Sequence, residues 1–202
     1  MESSEVATWA AVFVALMGPI IGVIMADTYS KRQSQLSEAA NVFRSIMKNS
    51  QAFLHAFLDR HRFESQLKSS TDKLNQLQQM LRSFENSTDA NSISLVREAQ
   101  RLLTFAMEDT HNTQERFHNA FQESRNIEVL LNVDKLSLGL LFGMKSEKCG
   151  RAINHLIVMS EIFKTDPLPP LTECDKEIND RIQKISQEMK SLHNSLINPE
   201  NP

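Results

Sequence analysis

From residue 6 to residue 26 the chain carries no charged side chain, and Thr8 and the Trp9 indole are the only side-chain hydrogen-bonding groups in the run. As an α-helix these 21 residues are about 31 Å long, enough to span the hydrocarbon core of a bilayer. A cleaved secretory signal needs a basic region ahead of its apolar stretch and a small-residue cleavage site after it. Here Glu2 and Glu5 precede the run and no Ala-x-Ala follows it. A buried core helix is the remaining alternative. The run predicts an uncleaved transmembrane helix over 6–27, preceded by a short extracytoplasmic segment, 1–5.

Trp9 and Tyr29 stand 20 residues apart, at the spacing of interfacial aromatics. Lys31 and Arg32 follow the run closely and Arg44 and Lys48 come next, while no Lys or Arg precedes it. The positive-inside rule then places the N-terminus outside and residues 28–198 in the cytoplasm. Within the run, Ala11, Ala15, Gly18, Gly22 and Ala26 form a stripe of small residues containing Gly-x-x-x-Gly. Such a stripe lets helices approach closely in lipid and predicts self-association of the span. Pro19 has no N–H to give the carbonyl of Ala15, which predicts a kink there.

The remainder reads as helix. Glycine (5) and proline (6) are scarce among 202 residues, and no strand-like alternation appears, so an all-α bundle is expected. The net charge of −3 gives nucleic-acid binding no electrostatic support. Leu36, Ala39, Phe43, Ile46, Phe53 and Phe57 share a helical face and predict a helix over about 28–60 that continues the span as a stalk. Phe63, Leu67, Leu74, Leu77, Leu81 and Phe84 predict a second over 63–85, with a polar gap at Ser70 and a loop at 85–92. A third, about 93–142, carries Leu95, Ala99, Leu102, Ala106, Phe117 and Phe121 along one side. Its last part, 130–144, is apolar but interrupted by Asp134 and Lys135, with bends expected at Gly139 and Gly143. It is too short to span and reads as core, or alternatively as a membrane-surface segment.

A fourth helix over about 146–165 aligns Ala152, Leu156, Met159 and Phe163, and is stopped by prolines from Pro167 onward. Thr172 is expected to cap a fifth, over 172–197. There Ile178, Ile182, Ile185, Met189, Leu192 and Leu196 repeat at coiled-coil spacing, a seam for pairing within the chain or between chains. Residues 199–202 are expected to be a disordered tail. Pro167 and Pro170 satisfy Pro-x-x-Pro, which reads here as a stiff linker more readily than as a ligand for an aromatic groove.

Catalytic chemistry is thinly represented. Gly-x-x-x-x-Gly-Lys, Gly-x-Gly-x-x-Gly and Cys-x-x-Cys are all absent, so no cofactor and no enzymatic activity are expected. Glu108-x-x-His111 and Glu115-x-x-His118 repeat one heptad apart, and this spacing puts carboxylate and imidazole on one helical face, as in di-iron bundles. Those bundles draw the unit from two helices. Here both copies fall on one helix, about 150° from its apolar side, so they read as solvated surface and only weakly as metal ligands. Cys149, among Lys145, Lys148 and Arg151, has neighbours that can lower a thiol pKa near a helix start, against the commoner buried thiol. Cys149 and Cys174 are expected to be reduced in the cytoplasm. His55, Asp59 and His61 read as helix surface.

Trp9, Gly18-Pro19-Ile20 and Val42-Phe-Arg-Ser-Ile-Met47 together resemble the N-terminal quarter of a bacterial family of short single-pass membrane proteins that bear a domain of unknown function. In that family a Gly-Pro membrane helix precedes a basic stretch and a Phe-x-x-Leu/Ile-Met helix. The resemblance implies a bacterial inner-membrane protein and brings no catalytic residues with it. The sequence as a whole predicts a membrane-anchored scaffold, sensor or accessory subunit. Its partners would be the lipid bilayer and a second copy of the chain or another protein. Alternatives of other classes are an oligomeric membrane effector that forms a pore, as in defence against phage, and a helical metalloenzyme.

Overall fold

The computed structural model describes the backbone of residues 3–84, 90–164 and 167–197, and the side chains of 22–83, 93–164 and 167–197. Between Asp27 and Phe84 the sequence has neither glycine nor proline, so nothing local stops a helix once it has begun. The first helix, α1, accordingly runs unbroken over Ser3–Phe84, about 120 Å at the standard rise. It is followed by α2 (Ala90–Phe142), a 3₁₀ turn (Gly143–Ser146), α3 (Glu147–Ile157), a second 3₁₀ turn (Val158–Lys164) and α4 (Leu171–Ile197). The protein is all-α, with no strand among the described residues.

Three elements differ from the sequence reading. The break expected between 60 and 63 is absent. Inward residues of α1 fall at Leu36, Ala39, Phe43, Ile46, Ser50, Phe53, Phe57 and Arg60, alternating steps of three and four. They resume at Phe63, Leu67, Ser70, Leu74, Leu77 and Leu81. Two successive steps of three at 57, 60 and 63 shift the register by one residue, and the helix absorbs this shift by local overwinding. The second difference is the expected fourth helix, which tightens into 3₁₀ geometry at Val158. The larger rise, about 2.0 Å per residue against 1.5 Å, carries Phe163 further along the bundle to Phe57. Third, Thr172 does not cap α4. Pro170 precedes the helix, and its carbonyl accepts from the Glu173 and Cys174 amides at 3.0 and 3.2 Å.

Helices α1 and α2 are antiparallel, α3 turns back along them, and α4 returns to the starting end, giving an up-down-up-down bundle. Its core holds Ile46, Phe53 and Phe57 of α1, Leu131 and Leu138 of α2, Ile153 and Leu156 of α3, and Ile178 and Ile185 of α4. The seam expected on α4 is used inside the chain. Ile178, Ile182, Ile185, Met189 and Leu192 are buried, and Leu196 packs at the edge of the core.

Beyond the bundle, α1 and α2 continue alone as a two-helix hairpin. None of the described residues from Arg62 to Asn112 is buried, because two helices bury only a narrow strip each. The inward positions of α2 fall at Val96, Ala99, Leu103, Ala106, Thr110, Thr113, Phe117, Ala120, Ser124, Ile127, Leu131, Asp134 and Leu138. This seam differs from the expected face: Leu95 and Leu102 are about half exposed. Likewise 130–144 is not all core. Leu131, Leu138 and Phe142 are buried, while Leu136, Leu140 and Met144 face solvent. The helix passes through Gly139 and ends at Gly143, whose φ of +57° makes the turn that a side chain would resist.

Asp134 is the polar residue this packing most depends on. Its carboxylate is buried and accepts hydrogen bonds from Ser45 Oγ at 2.8 Å and Asn49 Nδ2 at 2.7 Å, joining α1 to α2. Asp134→Ala should therefore lower stability by about 1.5–3 kcal/mol. Asp134→Asn, which keeps one acceptor, should cost less. Guanidinium unfolding of the purified chain followed by circular dichroism measures both.

Candidate functional site

Where the bundle narrows into the hairpin, the register shift of α1 brings Arg60 and His61 inside together, 9% and 5% exposed. The Arg60 guanidinium lies between two aromatic rings, 3.8 Å from the centroid of Phe163 and 4.7 Å from that of Phe121. The ring faces give the cation an electrostatic partner in place of the water it has lost. Phe163 in turn packs on Phe57, centroids 4.9 Å apart. Burial pushes Arg60 below its ordinary pKa, with Glu64 and Glu128 opposing the shift and Arg125 adding to it. A guanidinium stays charged under such a shift.

His61 Nε2 lies 2.8 Å from the Pro169 carbonyl oxygen. That oxygen only accepts, so Nε2 carries the proton and donates it. The bond ties α1 to the link before α4. Pro167, Leu168, Pro169 and Pro170, with His61, Glu64 and Phe163, bound an open cleft of about 920 Å³. Glu64 on its wall has a carboxyl raised by burial, with Arg60 and His61 opposing the rise. His61 Nδ1, Arg60 Nε and Glu64 Oε2 have no hydrogen-bond partner among the described residues. The cluster locks three elements together through a sandwiched cation and one imidazole.

The residues singled out from sequence lie elsewhere. Glu108, His111, Glu115 and His118 are all exposed on α2. Among the described residues, no three His, Cys, Asp or Glu converge to hold a metal ion. Cys149 lies in the first turn of α3 but points into the core, and burial, with Glu188 adding to it, pushes its thiol up to about 12. That overrules the three nearby cations and leaves the thiol unreactive. Cys174 is also buried and free. His55 and Asp59 are exposed, whereas His61 is not.

Lys31 pairs with Asp27 at 2.7 Å. Arg32 donates to the carbonyls of Leu196 and Ile197 at 3.2 and 2.6 Å, satisfying the open end of α4. Tyr29 is 71% exposed. Of the small-residue stripe, Gly22 and Ala26 are described: Ala26 is exposed, and a Cβ on Gly22 would meet nothing within 4 Å. The side chains of Trp9, Ala11, Ala15, Gly18 and Pro19 lie outside the described residues, as does the tail at 199–202. Among the described residues no helix is long and apolar enough to cross a membrane. The side chains of 6–21, most of the expected span, lie outside the described residues.

Arg60, Glu64 and Phe163 escaped the sequence reading as a cluster. The signal was positional: Arg60 follows Phe53 and Phe57 in register, but its charge argued for the surface. No protein-family model, curated protein or solved structure matches the chain.

Because burial raises the Glu64 carboxyl, the folded chain holds this proton more tightly than the unfolded chain. The stability that the group contributes therefore falls as pH rises from the ordinary Glu value through the raised one. Glu64→Gln should raise the thermal unfolding midpoint at pH 7, and the gain should vanish near about pH 4, where both folded and unfolded carboxyls take up protons. A lowered midpoint at pH 7 would mean that attraction to Arg60 and His61 outweighs burial.

Proposed function

We propose that the protein is a single-pass, membrane-anchored helical scaffold, sensor or accessory subunit that works through protein contacts. The observation that carries the anchor is the uncharged run over 6–26, which opens a helix continuing without interruption into the bundle. Val23, Ile24 and Met25, the last large apolar residues of that run, are each at least 60% exposed. No described residue covers them, and lipid is the medium that suits them. The charge asymmetry around the run supports an N-terminus outside and a cytoplasmic bundle. The resemblance of the N-terminal quarter to a bacterial membrane family supports the inner membrane as the location.

Contacts with other proteins are supported by the hairpin. Leu95, Leu102 and Phe105, at steps of seven and three, share one face of α2 and are about half to three-quarters exposed. Exposed apolar clusters of this kind mark interaction surfaces. The small-residue stripe of the span supports a homo-oligomer, brought together through Gly18 and Gly22.

Two measurements test this. In bacterial membranes the chain should resist alkaline carbonate extraction, and in inverted vesicles added protease should remove the bundle. Crosslinking in intact membranes should capture a dimer or a partner held through the hairpin, and Phe105→Glu should weaken the partner's capture. Release by carbonate would refute the anchor. Recovery of monomer alone would refute the scaffold.

A further inference from the structure

The outer face of α2 carries an apolar seam that no described residue covers. Val129, Val133, Leu136 and Leu140 follow one another at steps of four, three and four, and are 61%, 52%, 66% and 89% exposed. The mean direction of this seam lies roughly 160° around the helix from that of Leu131, Asp134 and Leu138. Those residues face the core and α1, so the seam points away from both. With Leu130 and Met144 at its edges, it exposes on the order of 800 Å², more than the largest apolar patch of a typical monomer. That is the area each partner brings to an interface of standard size, about 800 Å².

The spacing is that of a coiled coil. Steps of four and three put Val129 and Leu136 at d positions and Val133 and Leu140 at a positions. Carried toward the N-terminus, the same register puts Asn126 at a and Gln122 at d, both exposed. No charged residue occupies these positions from Gln122 to Leu140. An occupant recognised through charge finds nothing to pair with there, whereas an uncharged apolar seam is complementary to itself.

The polar position also selects an orientation. Parallel pairing sets Asn126 against Asn126 of the second copy, where each amide can donate to the other's carbonyl. Antiparallel pairing, with Val129 against Leu140, would set Asn126 against Gly143, which has no side chain to receive it. In the parallel register the flanking positions bring His118 against Glu123, Arg125 against Leu130 and Asn132 against Ser137. None of these sets like charges together.

We propose that α2 from Gln122 to Leu140 pairs with the same segment of a second copy, parallel and in register, with Asn126 fixing the alignment. The parallel sense rests also on the anchor proposed above, because two chains held in one bilayer stand the same way up. Since the seam faces away from α1, the two α1 helices of such a pair stand three interaxial distances apart, roughly 24–30 Å. That is too far for their spans to touch. The seam and the small-residue stripe therefore join different pairs of chains, and together they link copies into rows.

The test uses two full-length variants, Val129→Cys and Leu140→Cys, expressed separately in bacterial membranes and oxidised with copper phenanthroline. The buried native thiols leave the introduced cysteine as the reactive one. Each variant should give a disulfide-linked product of twice the chain mass of 23.0 kDa. Gln183→Cys, exposed on α4, should give none. Leu136→Glu added to Val129→Cys should abolish the product, with the circular dichroism of the purified chain unchanged. Gly18→Ile with Gly22→Ile should leave the product in place, and its loss would overturn the separation of the two contacts. Crosslinks that form only when the two variants are co-expressed put residue 129 beside residue 140 of the other chain, an antiparallel pair that overturns the proposal. A product of another mass identifies a different protein on the seam and overturns it too. Chains that resist carbonate extraction but give no product at either position overturn the seam and leave the anchor standing. A product from chains that carbonate releases refutes the anchor and supports the seam.

Discussion

The length of α1 without glycine or proline is the constraint from which the rest of the architecture follows. A helix of 82 residues cannot bury itself, and each stretch of it needs a different cover. From Leu36 to Arg60 it packs against α2 and α4, with Phe163 of the second 3₁₀ turn on Phe57, and is fully buried at Phe53 and Phe57. From Phe63 onward it has one, and its apolar residues are only half covered. The change in cover coincides with the register shift at residues 57–63. At that point a position that would continue the aromatic core is filled by arginine, and Phe163 and Phe121 cover its two faces.

That arginine explains several local features together. A buried cation needs partners that cannot be supplied by water. Here the rings arrive from two other elements, Phe121 from α2 and Phe163 from the 3₁₀ turn after α3. The tightened turn is what brings Phe163 far enough along the bundle. His61, the next residue, then holds the Pro169 carbonyl, so the link leading into α4 is set by the same turn of α1. At the opposite end, Arg32 donates to the last carbonyls of α4. Helix α4 is therefore fastened to α1 near both its termini by polar contacts, with its Ile178 to Leu192 seam packed between them.

What the sequence displayed depended on whether a position's chemistry matched its place. The α4 seam and the α1 face from Leu36 to Phe57 were legible because their inward residues are almost all apolar. The α2 seam was less so. Ala99, Ala106 and Phe117 of the expected face do point inward, but the seam also holds Thr110, Thr113, Ser124 and Asp134 while Leu95 and Leu102 face outward, so the hydrophobic pattern traced it only in part. Asp134 read as an interruption because its partners, Ser45 and Asn49, lie far away in sequence and share no motif with it. The Arg60 cluster was hidden for the same reason, since it is assembled from α1, α2 and the second 3₁₀ turn.

The unbroken helix also fixes a distance. Phe84 lies 58 residues beyond Ala26 along the same axis, about 87 Å, which is how far the proposed anchor would hold it from the hydrocarbon edge. A flexible stalk would spread the hairpin over a range of heights, but a helix stiffened by α2 along most of this length does not. Under the proposed anchor, the exposed residues Ile93, Leu95 and Phe105 would stand far from the bilayer at a nearly constant height, with only the tilt of α1 left free. A single anchoring helix resists tilt weakly, because tilting costs only fractions of a kcal/mol per ångström of mismatch.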